Sequence, residues 1–365
     1  MAPPRAPPEL IEDVTTEILL RIPPDEPAHL FRAALVCKPW HRILTDAAFL
    51  RRYREFHRTP PLLGFLYSYC QLGEDHHRVI TTAASFPCFR PAPNHIRWWP
   101  LDCRHGRVLL HTSDPEGLVV WDPITNDQQY LSLPDYSYLL HAAAVLCAVE
   151  GCDHLDCHGL PFIVVFVLND DKEEEYVARL SVYSSETGTW STPTSIQIDY
   201  YVDRRSNLLT RDTLYFTLRC ARGFLKYDLI RGGLSVIYSS LDMLYQDDEG
   251  VVMAAQDGGL GFAAADANRV LLWSWQAGTD GTMRWVQCSV IELCTLISVP
   301  FPCDLYDVIG FAEGTSTIFV STDAGVFTLD LKSKQARKVD EIVYYNAIIP
   351  YMSFYTPGSS LCACL

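Results

Sequence analysis

The sequence predicts an α+β multidomain chain: a small N-terminal helical unit followed by an all-β, six-bladed propeller-like body. Three observations carry that expectation. Apolar residues recur at helical spacing only in the first part of the chain, up to about His57. From Leu62 onward, short β-branched and aromatic runs alternate with Gly, Asp and Asn turns. Within this second region a strand–turn–strand phrase returns five times.

The Pro-rich residues 1–9 are expected to be disordered, 10–57 to form the helical unit, 58–61 (RTPP) a linker, 62–357 the β body and 358–365 a tail. In the first helix Leu10, Val14, Ile18 and Ile22 fall four apart with Leu19 beside them, and Pro23 and Pro24 stop it. A second helix follows Pro27, with Leu30, Phe31, Ala34 and Leu35, and breaks at Pro39. A third begins at Trp40 with Ile43 and Leu44. The fourth has Asp46 at its N-cap and Phe49, Leu50, Tyr53 and Phe56 on one side. So short a bundle buries too little apolar area to stand alone, so a partner is expected to complete it.

In the body the phrase reads GRVLLHTSDPEGLVVWDPITN, ARLSVYSSETGTW, DTLYFTLRCARGFLKYDL, NRVLLWSWQAGTDGTMRW and STIFVSTDAGVFTLDLKSK. Anchored on Trp121, Tyr183, Tyr227, Trp273 and Leu329, its spacings are 62, 44, 46 and 56 residues. A four-stranded repeat of this size is the pattern of propeller blades. The terminal segments LLGFLYSYC and AIIPYMSFY are expected to combine as the sixth blade and close the ring. A β-sandwich explains the strands but not the repeated phrase.

With 365 residues, 48% hydrophobic and 20% charged, the chain has the composition of a folded globular protein. Its apolar runs, such as the seven residues from Phe162 to Leu168, fall far short of the roughly 20 that a membrane-spanning helix needs. The N-terminus lacks the apolar stretch of a secretory signal, so cytoplasm or nucleus is expected. In that reducing setting the 13 cysteines are expected to be mostly small buried hydrophobes rather than disulfides. Charge is uneven: residues 1–61 carry net +1 and the remainder −16. Such an acidic body repels phosphate backbones, so proteins rather than nucleic acid are the expected partners, and no stable membrane association is expected.

The segment Leu10 to Leu50 resembles the F-box motif of ubiquitin-ligase substrate receptors. The match runs through Ile18-Leu19, Arg21 to Pro23, Leu30 to Arg32, VCKPW at Val36 to Trp40, Leu44, Asp46 and Phe49. Where F-boxes usually begin with a Leu-Pro pair, this chain has Leu10-Ile11. Together with the propeller-like body, it resembles the large plant F-box families with an associated β domain. The resemblance implies a non-catalytic substrate-recognition subunit of a Skp–cullin–F-box ubiquitin ligase. Leu10, Ile11, Val14, Ile18, Pro23, Leu30, Val36, Cys37, Lys38, Trp40 and Leu44 would then meet a Skp-family adaptor and, through it, cullin. The β body would hold a target protein. Two alternatives are a non-catalytic F-box binding protein working outside a ligase and a propeller-fold hydrolase.

The sequence has no G-x-S-x-G, Walker A or H-E-x-x-H motif, so no catalytic residue and no cofactor are expected. GGLGFAA, from Gly258, is followed by a strand rather than the helix that a dinucleotide turn must open. The runs Asp170-Asp171, Glu173 to Glu175 and Asp247 to Glu249 read as solvated loops. His95, Arg97, Trp98 and Trp99 make a candidate target-binding cluster, with one tryptophan expected in the core because strand residues alternate. In GCDHLDCHG, Cys152, His154, Cys157 and His158 are the candidate zinc ligands. All four are local, so the stretch is read as a metal-free loop whose His154 and His158 face solvent or target. The terminal CACL formally fits a lipidation box at Cys362, but no polybasic stretch precedes it, and coincidence is the expectation.

Overall fold

The computed structural model describes residues 11–71, 74–81, 98–134, 141–170, 176–205, 207–238, 250–297, 306–341 and 347–357. Four short helices come first: α1 (Glu12–Leu19), α2 (Ala28–Ala34), α3 (Lys38–Thr45) and α4 (Ala47–His57). Asp46 caps α4, its Oδ2 accepting the Phe49 N–H at 2.9 Å. Pro39 opens α3 instead of only ending α2, since the first turn of a helix has no use for the missing N–H. Leu19, Leu20, Leu30, Leu44, Phe49, Leu50 and Tyr53 form the helical core, while Phe56 stays exposed.

Part of what completes this core comes from the chain itself. Phe354, beyond the last strand, is buried within it, and Leu155 packs against it. Phe31 meets Tyr355 with ring centroids 4.9 Å apart. Arg54 reaches Asp156 at 2.7 Å.

The body begins with β1 (Leu62–Gln71) and β2 (Glu74–Thr81). The next sheet is β3 (Trp98–Arg104), β4 (Arg107–Ser113), β5 (Glu116–Trp121) and β6 (Gln128–Leu131). It is followed by β7 (His141–Cys147), β8 (Phe162–Asp170) and β9 (Tyr176–Ser184), whose outer neighbour is split into β10 (Thr189–Trp190) and β11 (Thr194–Ile198). Pro193, which has no N–H for the ladder, stands in the gap. Three further sheets follow. The first is β12 (Leu208–Thr210), β13 (Thr213–Thr217), β14 (Gly223–Asp228) and β15 (Gly233–Tyr238). The second is β16 (Val251–Ala254), β17 (Leu260–Asp266), β18 (Arg269–Ala277) and β19 (Met283–Glu292). The third is β20 (Tyr306–Ala312), β21 (Thr317–Thr322), β22 (Gly325–Asp330) and β23 (Ala336–Asp340). The anchors Trp121, Tyr183, Tyr227, Trp273 and Leu329 are all buried, and each lies on the third strand of its sheet.

Six like blades were the expectation, and the described residues contain five. The remaining sheet has three strands, β2-β1-β24, with β24 at Ala347–Met352. Leu66 pairs with Ile349 and Tyr67 with Ile348, so the first strand of the body is joined to the last.

Arg104, at the end of β3, ties the sheets together. It donates to Asp102 Oδ1 at 2.6 Å, to the Asn207 carbonyl at 2.9 Å and to Glu313 Oε2 at 2.9 Å. Asp102 also accepts the Val145 N–H at 2.8 Å, and Asn207 donates to the Ala143 carbonyl at 3.0 Å. Residues of four sheets or their borders thus share one buried network. Burial lifts the Asp102 carboxyl to about 6, against the pull of Arg104 and the Val145 N–H. Among the described residues no helix is long and apolar enough to cross a membrane.

Candidate docking surface and recognition face

On α1 the apolar residues divide by helical period. Thr15, Leu19 and Leu20 turn inward, while Ile11, Val14 and Ile18, three and four apart, are 72%, 45% and 50% exposed. Leu35 and Val36, in the link from α2 to α3, are 68% and 64% exposed, and Cys37, Lys38 and Pro23 are exposed as well. Charged pairs join the helices: Arg42 meets Glu12 at 2.7 Å, and Glu17 binds Arg52 and Arg21. The hydrogen bond from Arg52, then that from Arg21, holds the Glu17 carboxyl below its ordinary range.

Two of the residues expected to face an adaptor do not reach the surface. Leu30 and Leu44 are 1% and 0% exposed, because a four-helix unit this small needs them for its own core. Trp40 is half-buried against the same core. Leu10 lies outside the described residues, as do His95, Arg97, Cys362, the acidic runs 171–175 and 247–249, the lead 1–9 and the tail 358–365.

The helices rest on the connection between β7 and β8, which contains GCDHLDCHG. Arg107 holds this loop from beneath, donating to the Cys157 carbonyl at 2.6 Å. His158 leaves the cysteines for Asp122, its Nδ1 lying 2.5 Å from Oδ2. Its ring packs over Gly106, whose φ is +76° and where a Cβ would come within 2.9 Å of the imidazole. Burial would raise the Asp122 carboxyl, yet His158 and the N–H groups of Thr125 and Ile124 hold it low.

The four candidate ligands Cys152, His154, Cys157 and His158 are therefore not brought together as one set. Cys147 takes the place of His158: the donor atoms of Cys147, Cys152, His154 and Cys157 all lie within 4.8 Å of one another. His105 stacks on His154 at 4.0 Å, and its Nδ1 accepts the Cys147 N–H at 3.0 Å. A cavity of about 250 Å³ opens beside them, walled by Arg58, Arg104, His105, His154, Leu155 and Glu313.

Antiparallel strands send alternate turns to opposite ends of a blade. The start of β3, the end of β4 and the start of β7 therefore lie away from the helical unit. Trp98 packs on a hydrophobic core there, while Trp99, on the other face of β3, sits 5.5 Å from His111. His111 in turn is 4.5 Å from His141, whose pKa burial lowers to about 3, with His111 and Arg204 adding to the effect. The expected target-binding residues are thus divided, with Trp98 and Trp99 at one end and His154 and His158 at the other. His111 and His141 were not singled out in the sequence, where each looks like one more polar residue at the border of a strand.

Residues 100–358 match the model of the family described as "F-box protein AT5G49610-like, beta-propeller". No curated protein matches the sequence. Solved structures similar to the chain include one titled nidogen/laminin complex, at 10% identity over 80% of this chain and 100% of that one, with a TM-score of 0.42. The WD40 domain of SCAP from fission yeast is 14% identical over 69% of this chain and 60% of that one, with a TM-score of 0.34. The extracellular domain of the one-component system BT4673 from B. thetaiotaomicron is 13% identical over 69% of this chain, with a TM-score of 0.35. The present chain spans only 29% of that protein's length.

Proposed function

We propose that this chain, which belongs to the F-box protein AT5G49610-like β-propeller family, is the substrate-recognition subunit of a Skp–cullin–F-box ubiquitin ligase. Residues 10–57 form the F-box and dock on a Skp-family adaptor. Residues 62–357 form the receptor body, whose first and last strands are joined in the three-stranded sheet β2-β1-β24. The observation that carries this reading is the exposure of Ile11, Val14, Ile18, Leu35 and Val36 on so small a helical unit. Isolated surface aliphatics are ordinary, but five on about 26 residues make a surface waiting for a partner. An adaptor burying about 800 Å² would draw its affinity from such anchors, with Pro23, Cys37 and Lys38 at the margin.

The target binds at the opposite end of the ring, around Trp98 and Trp99, with His95 and Arg97 in the preceding segment. With the adaptor on the helices and the target at the far end, neither blocks the other. The protein itself performs no bond chemistry: its buried Asp102 carboxylate is already engaged by Arg104 and the Val145 N–H. Its contribution is proximity, raising the effective concentration of target lysines near activated ubiquitin. The reading places the protein in the cytoplasm or nucleus.

The test is co-precipitation of a Skp-family adaptor with the full chain and with a Val14→Asp/Ile18→Asp variant. Both residues point to solvent, so the variant should fold normally and lose adaptor binding at least tenfold. Trp40→Ala is the poorer choice because it also opens the helical core. If the wild-type chain captures no adaptor, the receptor reading fails. Cullin in the captured complex separates a ligase subunit from an F-box protein working outside one.

A further inference from the structure

We propose that Cys147, Cys152, His154 and Cys157 bind one Zn²⁺ ion, and that this ion fixes the loop on which the helical unit rests. The inference stands on the loop's own geometry and is independent of the receptor reading.

The donor spacing is that of a tetrahedral metal site. Zn–S bonds of about 2.3 Å and Zn–N bonds of about 2.0 Å require S···S edges of about 3.8 Å and S···N edges of about 3.5 Å. The Cys152 and Cys157 sulfurs are 3.7 Å apart, and the Cys157 sulfur is 3.6 Å from His154 Nδ1. Two sulfurs at this distance are well beyond the roughly 2.05 Å of a disulfide. They are also closer to further donors than packing alone demands, since all four ligand atoms fall within 4.8 Å. Three thiolates and an imidazole make a soft donor set that suits zinc, and four protein ligands leave no open position, as in a structural site.

The supports also fit. Cys147 is the last residue of β7, so one ligand stands on a rigid strand. Cys152 and His154 come from the turn after Gly151, whose φ is +68°; His154 itself is held at φ +58°, a conformation that costs a non-glycine residue about 1 kcal/mol or more. The His154 N–H points at the Cys152 sulfur, 3.4 Å away, where it would partly offset thiolate charge. His105 orients two ligands at once, stacking on the His154 ring and accepting the Cys147 N–H.

The consequence follows from what lies between the ligands. Leu155, which packs on the helical core, and Asp156, which pairs with Arg54, occupy the two positions between His154 and Cys157. An ion clamping both neighbours would fix the seat of the helical unit on the ring.

The purified 365-residue chain, expressed in zinc-supplemented medium and gel-filtered, should carry about one zinc per chain by plasma mass spectrometry. Replacing zinc by Co²⁺ should give the intense visible bands of a tetrahedral site and sulfur-to-metal charge transfer in the near ultraviolet. Cys152→Ser should lower the zinc content at least fivefold, while His158→Gln, which removes the Asp122 pair and the ring over Gly106 but no ligand of the site, should retain it. The wild-type protein supplies a second readout that does not depend on a cysteine variant folding. A chelator should speed proteolysis within residues 148–160 severalfold, and added zinc should reverse this. The proposal is overturned by wild-type protein with less than about a tenth of a zinc per chain, by a Cys152–Cys157 disulfide in its peptide map, or by zinc loss from His158→Gln equal to that from Cys152→Ser.

Discussion

The ring and the helical unit face the same physical problem, apolar surface that must be covered, and they meet it differently. The ring covers itself: β1 pairs with β24 from the other end of the body, and the buried network around Arg104 joins residues of four sheets or their borders. The helical unit does not. It takes Phe354 and Leu155 from the body to finish one side and leaves Ile11, Val14, Ile18, Leu35 and Val36 uncovered on its surface. A self-closed ring can change its loops without losing its fold, whereas a unit left unfinished depends on what packs against it. The contrast predicts that damage to the ring is global and that damage to the helices is local.

Arg104→Met should have the largest effect. Removing one partner from a buried charge network costs about 3–5 kcal/mol, because the remaining charges are left unpaired. Here Asp102 and Glu313 would face each other without a cation, and Asn207 would lose its donor. Urea unfolding followed by tryptophan fluorescence should show the whole ring transition moving to lower denaturant. A transition that stays in place would mean that the hub does not hold the sheets together.

Phe354→Ala should separate the two regions instead. Truncating a buried phenylalanine costs about 3 kcal/mol or more, and this ring lies 6.3 Å from Tyr53 inside the helical core. The helices should loosen from the ring and expose residues 58–61 to protease, while the ring keeps its urea midpoint. If both transitions shift together, the two regions are a single cooperative unit.

What the sequence revealed follows the same division. Blade strands were legible because short β-branched and aromatic runs recur between turn residues around one buried anchor, and the joining of the first and last strand-like segments was legible because neither belonged to a repeat of the phrase. Helix existence and the Asp46 cap were legible too. The inward or outward direction of single residues was not: Leu30 and Leu44 share the helical period with exposed neighbours, and only packing decides between them. Pro39 looked like a breaker because its place in the first turn of α3 depends on where the preceding helix ends. The loop at 151–159 was the least legible. Asp122 meets His158 across 36 positions and Arg54 meets Asp156 across about 100, pairings that no local pattern encodes. Cys147, the last residue of β7, is close to the other donors only because that strand ends beside them.

Asp46→Ala should have the smallest effect and the most confined one. The Asp46 carboxylate accepts the Phe49 N–H at 2.9 Å, satisfying one of the donors that the first turn of α4 leaves unpaired. Losing such a cap costs about 1 kcal/mol. That loss should fall on α4 alone, which carries Tyr53 in the helical core and Arg54 at the contact with the loop. Amide hydrogen exchange should therefore speed up several-fold across Phe49 to His57 and remain unchanged in β5 and β22, whose anchors Trp121 and Leu329 are fully buried. Faster exchange in those strands would mean that the helical unit stabilises the ring, and the ring would then not be self-sufficient.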